Sequence, residues 1–345
     1  MSSPGTLDEA YERLHLTGPE FEGWLSNHGP MAAEAMVRSG HADQVHRWVD
    51  RYQRRLDEMP DPDRRIGPSW REALGDPRRI RDWIEFFTRE LDDDPWREVL
   101  ARWWPRLLPG IAAGATHGVI RVGHAVRVLL EEQTQPKIIE LAHGMGYWAA
   151  RWQPVPGVVQ PTGNAGADTA LAGVPRIDDQ TGGITSRIAR LPGLPGWPEA
   201  LAALRAPVEP ADARTLLTEL VDAAVLRYRG HGHGSPVMLV HSATAPNAVL
   251  RVLPALPTEL WVRSLAAAWA ASATVTSVYA PADAAPESVL PVAANGAQEV
   301  LARAVEHGDE HVIKFADTAV DTFGRTGDPA ALSAALRACH MISPA

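Results

Sequence analysis

Histidine is the residue type in this chain that could do chemistry. The sequence contains 13 histidines and one cysteine, and five of the histidines lie in short, distinctive segments. A metal bound to such a chain would take imidazole and oxygen ligands, which favours iron, with zinc or manganese as rivals, over a thiolate site. The five candidate ligands are His28, His117, His124, His241 and His311.

His28 stands in the segment SNHGPMAAEAM, residues 26–36, directly before a Gly-Pro turn and a helical pattern. Proline is favoured at the first position of a helix, so the backbone would hold this imidazole at a helix entrance. That placement suits a metal ligand. A histidine packed beside a helix cap is the alternative that the segment leaves open.

His117, Arg121 and His124 belong to the segment GATHGVIRVGHAVRVL, residues 114–129. The helical pattern is predicted to run from Gly110 to Glu132, and on such a helix these three side chains share one stripe. Burying them without partners would cost several kcal/mol, so we expect the stripe to face water or a polar cavity. Seven residues of helix rise about 10.5 Å, so both imidazoles would reach one ion only with difficulty, and one of them is expected to lie outside the ligand set.

His241 follows the apolar run at residues 237–240, which predicts a short strand or a buried helix end. Thr244 is then the expected cap of the next helix, with Pro246 in its first turn. A metal ligand and a histidine that caps a core element are equally compatible with this position.

His311 and Lys314 stand three residues apart in the segment EHGDEHVIKFADTA, residues 306–319. Asp309 predicts a helix cap, which leaves His307 in the preceding turn as a weaker candidate. A lysine ammonium repels cations, but burial lowers the pKa of a lysine, and a neutral amine can take up carbon dioxide to become an anionic carbamate. A solvated surface lysine is the alternative for Lys314.

Helical patterns dominate the chain and must position these side chains. We expect a mainly α fold with a metal site between two helical halves, all within one domain of residues 1–345. The N-terminal half would cover residues 1–153 and the C-terminal half residues 199–345. Residues 154–198 are rich in proline and glycine and predict a connection or cover, which Trp197, Val158 and Val159 should hold against the protein.

Composition excludes several classes of protein. A formal charge of -9 disfavours nucleic acid as a partner, because such binders displace counterions with clustered lysine and arginine. Cys339 is the single cysteine, and the N-terminal sequence lacks the pattern of a signal peptide, so we expect a cytoplasmic protein. No apolar run reaches the roughly 18 to 20 residues of a membrane-spanning helix, so no membrane association is expected.

Four blocks of the sequence resemble the signature segments of the questin oxidase-like family, in the same order, over roughly residues 7–325. They are NHGPMAAEA, GATHGVIRVGHAVR, HSATAPNAVLRVLPALP and DEHVIKF. The resemblance implies an oxygenase that opens the central ring of anthraquinones, with either a Baeyer-Villiger-type or a dioxygenase outcome. It also implies a non-haem iron(II) held by four histidines and a carboxylated lysine.

Lys314 in DEHVIKF is the position that matches the carboxylated lysine of this family. Among the histidines, His28, His241 and His311 rank above the pair at positions 117 and 124, of which at least one should bind the metal. The substrate would be an aromatic polyketide that reacts with O2. Arg121 would stabilise a phenolate or enolate of that substrate.

Other features leave alternatives open. Trp24, Trp148 and Trp152 could stack on a planar ring, although tryptophans at helical spacing usually belong to the core. The segment GHGHGS at residues 230–235 lacks the spacing of a dinucleotide-binding loop, so NADPH would act only as an external reductant through a separate reductase. A zinc-dependent hydrolase or lyase and a non-catalytic binder of aromatic metabolites are the alternative functions.

Overall fold

The computed structural model describes residues 5–294 and 296–345 of the chain, so that residues 1–4 and Asn295 lie outside the described residues. Proximity of Cα atoms divides the chain into two units. The first unit comprises the residues up to 154 together with 251–257, and the second comprises residues 155–250 and 258–345.

The first unit is built from helices and one short antiparallel hairpin, in which Glu20 pairs with Ser26. Short 3-10 turns at residues 53–55, 70–73, 77–79 and 108–110 join its elements. In chain order the elements are α1 Gly5–His15, β1 Glu20–Phe21, β2 Leu25–Ser26, α2 Gly29–Arg38, α3 Ala42–Tyr52, α4 Ile80–Asp93, α5 Trp96–Leu107, α6 His117–Glu131 and α7 Gln135–Ala150.

The second unit is also helical, and its α13 ends with two residues that belong to the first unit. In chain order its elements are α8 Ala167–Ala172, α9 Ile184–Ile188, α10 Trp197–Ala203, α11 Pro210–His231, α12 Pro236–Leu239, α13 His241–Val252, α14 Trp261–Tyr279, α15 Gly296–His307, α16 Glu310–Thr326 and α17 Pro329–Met341. The mainly α fold predicted from the sequence is confirmed, since β1 and β2 are the only strands that pair into a sheet within the described residues.

Local sequence explains where several helices begin. Helix α2 begins directly after His28, and Pro30 occupies its first turn, as predicted. The Asp309 side chain accepts hydrogen bonds from the backbone N–H groups of His311 and Val312, which confirms it as the cap of α16. These two signals place His28 and His311 at helix entrances.

Two local predictions were wrong, namely the start of the helix that carries His117 and the cap at Thr244. Residues 110–113 form no α-helix, and Gly114, Ala115 and Thr116 all have positive φ, so α6 begins only at His117. Of the two alternatives for residues 237–240, the helix is correct, since α12 covers Pro236–Leu239 and α13 begins at His241 itself. Thr244 therefore lies inside a helix, where its hydroxyl donates to the Val240 carbonyl.

The segment at residues 154–198 is less irregular than its composition predicts. It contains α8 and α9 within the second unit. Trp197 is buried as expected, and its indole N–H donates to the Pro156 carbonyl. Val158 and Val159 do not pack as expected, because both side chains are exposed.

Close helix packing fixes α6 in the first unit. Helix α7 packs against both α4 and α6. A Cβ atom added to Gly118 of α6 would lie 2.8 Å from the Cβ and 2.9 Å from the Cα of Trp148 in α7. Real Cβ atoms do not approach backbone atoms this closely, so glycine at this position allows α6 and α7 to meet.

The second unit has an alanine-rich core helix. Every residue of α14 from Ser264 to Tyr279 is buried, and α11 packs beside it. The Trp269 indole N–H donates to the Leu201 carbonyl, and the Ser272 hydroxyl donates to the Ser242 carbonyl. Despite these apolar runs, no helix of residues 5–294 and 296–345 combines the length and hydropathy needed to cross a membrane.

We expect Gly118→Ala to lower the free energy of unfolding by about 1 to 3 kcal/mol, because the added methyl group pushes α6 away from α7. Gly324→Ala is the matched control, since an added Cβ at that helical position meets nothing within 4 Å. It should raise stability by about 1 kcal/mol through helix propensity alone. Urea unfolding of both variants measures the difference, and equal effects of the two substitutions would contradict the packing argument.

Candidate metal centre

His28 and His117, which both belong to the first unit, lie in contact with each other. Both side chains are buried, their Nε2 atoms lie 2.7 Å apart, and their rings meet edge to face. The turn of positive φ at residues 114–116 directs His117 to this place. Two imidazole nitrogens at such a separation either share a proton or direct lone pairs toward one cation.

The tautomer of His117 suits metal binding. Its Nδ1 atom contacts the Gly114 carbonyl oxygen, and a carbonyl only accepts, so Nδ1 carries the proton. The lone pair is then on Nε2, the atom that faces His28. A backbone carbonyl that fixes the other ring nitrogen is the usual support of a metal-binding histidine.

His124 has a different environment from His117. Its Nδ1 donates to the Glu34 carboxylate at 2.7 Å, and its Nε2 accepts from the Arg251 guanidinium at 3.3 Å. Arg127 also donates to Glu34. Burial lowers the pKa of His124 to about 4. The hydrogen bond that His124 donates to Glu34 acts in the opposite direction but has a smaller effect than burial, and the positive charges of Arg251 and Arg127 lower the pKa further.

Arg121 is buried against Glu140 of α7, with which it forms two hydrogen bonds of 2.6 and 2.8 Å. His15 also contacts this carboxylate, at 2.9 Å. Burial raises the pKa of Glu140, but the Arg121 guanidinium and His15 outweigh it and hold the pKa below its ordinary value. One nitrogen of Arg121, Nη1, is buried and has no hydrogen-bond partner.

His241 and His311 lie close together in the second unit. Both are buried, their ring centroids are 5.5 Å apart, and the rings are nearly perpendicular. The Nδ1 of His241 contacts the Met238 carbonyl at 3.2 Å, which leaves the lone pair on Nε2, as in His117. His307 stands apart from them, since its Nε2 donates to the Ile342 carbonyl at the end of α17.

Lys314 lies one turn beyond His311 and is 1% exposed. Its Nζ atom has no hydrogen-bond partner. Burial lowers the pKa of Lys314 to about 7, and the negative charges of Glu310 and Asp309 offset only part of this effect. Lys314 is therefore a buried amine with a substantial neutral fraction near pH 7, and the neutral form is the one that reacts with carbon dioxide.

Carboxylates beside these residues were not recognised from the sequence. One oxygen each of Asp309 and Glu310 and one ring nitrogen of His311 lie within 4.8 Å of one another. Glu34 and Glu140, which hold the α6 stripe, were missed as well. Each of these two residues is the single carboxylate of a mostly apolar helical segment. A lone carboxylate in such a segment indicates a buried charge that needs a partner, and the sequence could have been read in this way.

The three tryptophans considered for stacking have different environments. Trp24 is 61% exposed. Trp148 is fully buried, and its indole N–H donates to the Gly110 carbonyl, so it belongs to the core. Trp152 is partly buried, and its ring occupies the space that a side chain at Gly110 would need.

The helices and the buried imidazoles describe a mainly α-helical protein with histidines placed to bind a metal. Over residues 26–319 the sequence matches the Questin oxidase-like family, and the chain belongs to this family. Membership indicates an oxidoreductase that acts on a small molecule. No curated protein sequence matches the chain.

We expect stability to fall as the pH is lowered from about 6.5 to 4. Burial lowers the pKa of both His124 and His143, so in that window the unfolded chain binds protons that the native state does not. Each such histidine contributes a slope of up to about 1.4 kcal/mol per pH unit. His143→Phe should reduce this slope by up to one proton, as measured by urea unfolding at several pH values.

The control is His340→Gln, which removes an exposed imidazole at the end of α17. Its slope should match that of the unchanged protein. A slope that His143→Phe leaves intact would mean that the native state protonates this ring in spite of its burial.

Proposed function

We propose that the protein is a non-haem iron oxygenase that uses O2 to cleave a ring carbon–carbon bond of an anthraquinone-like aromatic polyketide. The observation that carries the proposal is Lys314, a buried amine without a hydrogen-bond partner beside buried histidines, in a member of the questin oxidase-like family. Whether the product is a lactone or an opened acid depends on the Baeyer-Villiger-type or dioxygenase outcome.

The first unit would supply His28 and His117 as ligands. Their Nε2 atoms already face one another at 2.7 Å. His124 would be a supporting residue, because Glu34 and Arg251 engage both of its ring nitrogens. This choice favours position 117 over position 124 for the fourth histidine of the set.

The second unit would supply His241, His311 and Lys314. We propose that a single iron(II) ion takes ligands from both groups, which gives four neutral imidazoles and one lysine-derived oxygen ligand. Four neutral ligands leave the charge of a divalent ion uncompensated in a buried site, so an anionic fifth ligand is favourable.

Carboxylation of Lys314 would supply that anion. The lone pair of the neutral Nζ attacks the carbon of CO2, a nitrogen–carbon bond forms, and one proton is released to solvent. The product is a carbamate with two oxygen atoms. Bound iron would supply activation of O2 next to an electron-rich ring.

The residues of the chain have separate tasks in this proposal. The Gly114 and Met238 carbonyls fix the tautomers of His117 and His241. The Asp309 cap fixes the start of α16 and thereby His311. Arg121, which Glu140 holds in the interior, would stabilise negative charge on a phenolate or enolate through its remaining nitrogen. Electrons from outside the chain would come from NADPH through a separate reductase.

Metal analysis tests the proposal directly. Protein purified without chelators and loaded anaerobically with iron(II) should hold close to one iron per chain and consume O2 when an anthrahydroquinone is added. Zinc bound in place of iron, without O2 uptake, would instead indicate a hydrolase or lyase. Absence of any bound metal would indicate a non-catalytic binder and would overturn the proposal.

His28→Gln and His311→Gln test whether one ion uses both groups. Each substitution should lower iron content by at least about tenfold, since the remaining ligands cannot complete the site. His340→Gln is the control and should leave iron content unchanged. A variant set in which His28→Gln and His311→Gln each remove a different ion would disprove the single centre.

Lys314→Met should remove the carbamate and with it iron binding. The protein enriched with 13C-labelled CO2 should show a carbamate carbon signal by NMR, and Lys314→Met should lack it. Lys137→Met is the matched control, because Lys137 is also buried but its Nζ pairs with Glu132. A signal that disappears in Lys137→Met and persists in Lys314→Met would assign the carbamate elsewhere.

The metal-free protein gives a second readout for Lys314. Its native pKa is lowered from 10.5 to about 7, so the unfolded chain binds a proton that the native state lacks between those pH values. Without CO2, Lys314→Met should therefore raise the free energy of unfolding near pH 7 by roughly 4 kcal/mol. The gain should shrink as the pH approaches 10.5, where the unfolded lysine also loses its proton.

A further inference from the structure

The glycine-rich segment GHGHGS at residues 230–235 lies where α11 ends in the second unit and continues into a 3-10 turn. Packing explains two of its glycines. A Cβ on Gly232 would lie 2.9 Å from the Tyr228 ring, and a Cβ on Gly234 would lie 2.7 Å from the Tyr279 carbonyl oxygen. These glycines therefore allow close packing and do not by themselves indicate a ligand.

Close packing does not explain the positively charged side chains around this segment. Arg227, in the last turns of α11, is half-buried; its Nε atom is fully buried and has no hydrogen-bond partner. Within the described residues, no carboxylate oxygen lies within 4.0 Å of the guanidinium of Arg227 or of Arg176. Arg229 contrasts with them, because it forms two hydrogen bonds to Glu287.

Arg227 and Arg229 border a cavity at the surface. A surface cavity of about 270 Å³ is lined by Arg227 and His231 together with apolar residues of the 284–290 segment. The same two residues also line a smaller recess, together with Tyr228, Ser242 and Thr276. Arg227 and His231 therefore border a cavity that is large enough for a small ligand.

The positively charged groups in this region repel one another. Burial lowers the pKa of Arg227, and Arg176 lowers it further, while Asp168 offsets only part of this. The pKa of His231 is lowered by burial and by Arg227, Arg176 and His233. The negative end of the α11 dipole favours cations at this place, but by only about 0.3 to 1 kcal/mol each, and it provides no acceptor for the buried Arg227 Nε.

We propose that Arg227, Arg176 and His231 form a binding site for the phosphate group of a small molecule. Phosphate oxygens would accept hydrogen bonds from the guanidinium N–H groups of Arg227 and neutralise the mutual repulsion of the cations. Guanidinium groups match the geometry of phosphate oxygens through paired N–H donors. The cavity beside them leaves room for the rest of the ligand.

The carboxylates nearby do not compete for this site. Asp168 lines the same cavity, but it is exposed and forms no ion pair with Arg227. Glu287 also lines the cavity and is engaged by Arg229. The site consists of second-unit residues that the proposed oxygenase chemistry does not use. Phosphate binding here therefore does not depend on whether the protein binds a metal.

Equilibrium dialysis of the full-length protein with inorganic phosphate, pyrophosphate and AMP tests the proposal. We expect saturable binding of one equivalent of at least one of these probes per chain. Arg227→Gln and Arg176→Gln should each weaken it by about tenfold or more. Arg227→Lys should show an intermediate loss, because it keeps the charge but not the paired donors. Iron content should be the same in all variants.

Arg214→Gln is the control, since it removes the same charge from an exposed position on the same helix and should change binding less than about twofold. Tighter binding of AMP than of inorganic phosphate would assign the site to a phosphorylated small molecule. Equal binding would assign it to free phosphate and overturn the larger ligand. Absence of saturable binding, or an equal loss in Arg214→Gln and Arg227→Gln, would overturn the site altogether.

Discussion

The first unit depends on the neutralisation of the charges that α6 carries into its interior. Arg121 and Arg127 are almost completely buried on this helix, and an unpaired guanidinium there would cost several kcal/mol. Glu140 of α7 and Glu34 of α2 each accept two hydrogen bonds from one of these arginines. The two carboxylates therefore fix how α2 and α7 can pack on α6, because any other arrangement would leave buried charges without partners.

This constraint also distinguishes the two histidines of α6. Glu34 already binds Arg127, and it accepts from His124 as well, so His124 is held as a neutral ring within an ion pair. His117 directly follows the turn of positive φ; the Gly114 carbonyl contacts its Nδ1, and its Nε2 is directed at His28. Two imidazoles seven residues apart thus have different surroundings, since the Glu34 carboxylate of α2 binds His124 and a backbone carbonyl contacts His117.

The features that could be predicted from the sequence are those that interactions between nearby residues determine. Pro30 and Asp309 determine the starts of their helices through bonds within a few residues, and the positions of His28 and His311 followed from them. The partner of His124 could not be predicted, because Glu34 is 90 residues away and Arg251 is 127 residues away. The start of α6 was misplaced for a related reason: residues 115 and 116 have positive φ, which their types rarely adopt, and non-local packing must stabilise that turn.

Lys314 differs from the buried arginines in that no carboxylate forms a hydrogen bond with it, although Asp309 and Glu310 are close enough to affect its pKa. Carbamate formation would replace a neutral amine by an anion beside those two carboxylates, which is unfavourable without a cation. A divalent metal would in turn lack an anionic lysine ligand without the carbamate. In the proposed site each step makes the other favourable, and linkage requires that carboxylation of Lys314 raises the affinity for iron by the same factor by which bound iron raises the affinity of Lys314 for CO2.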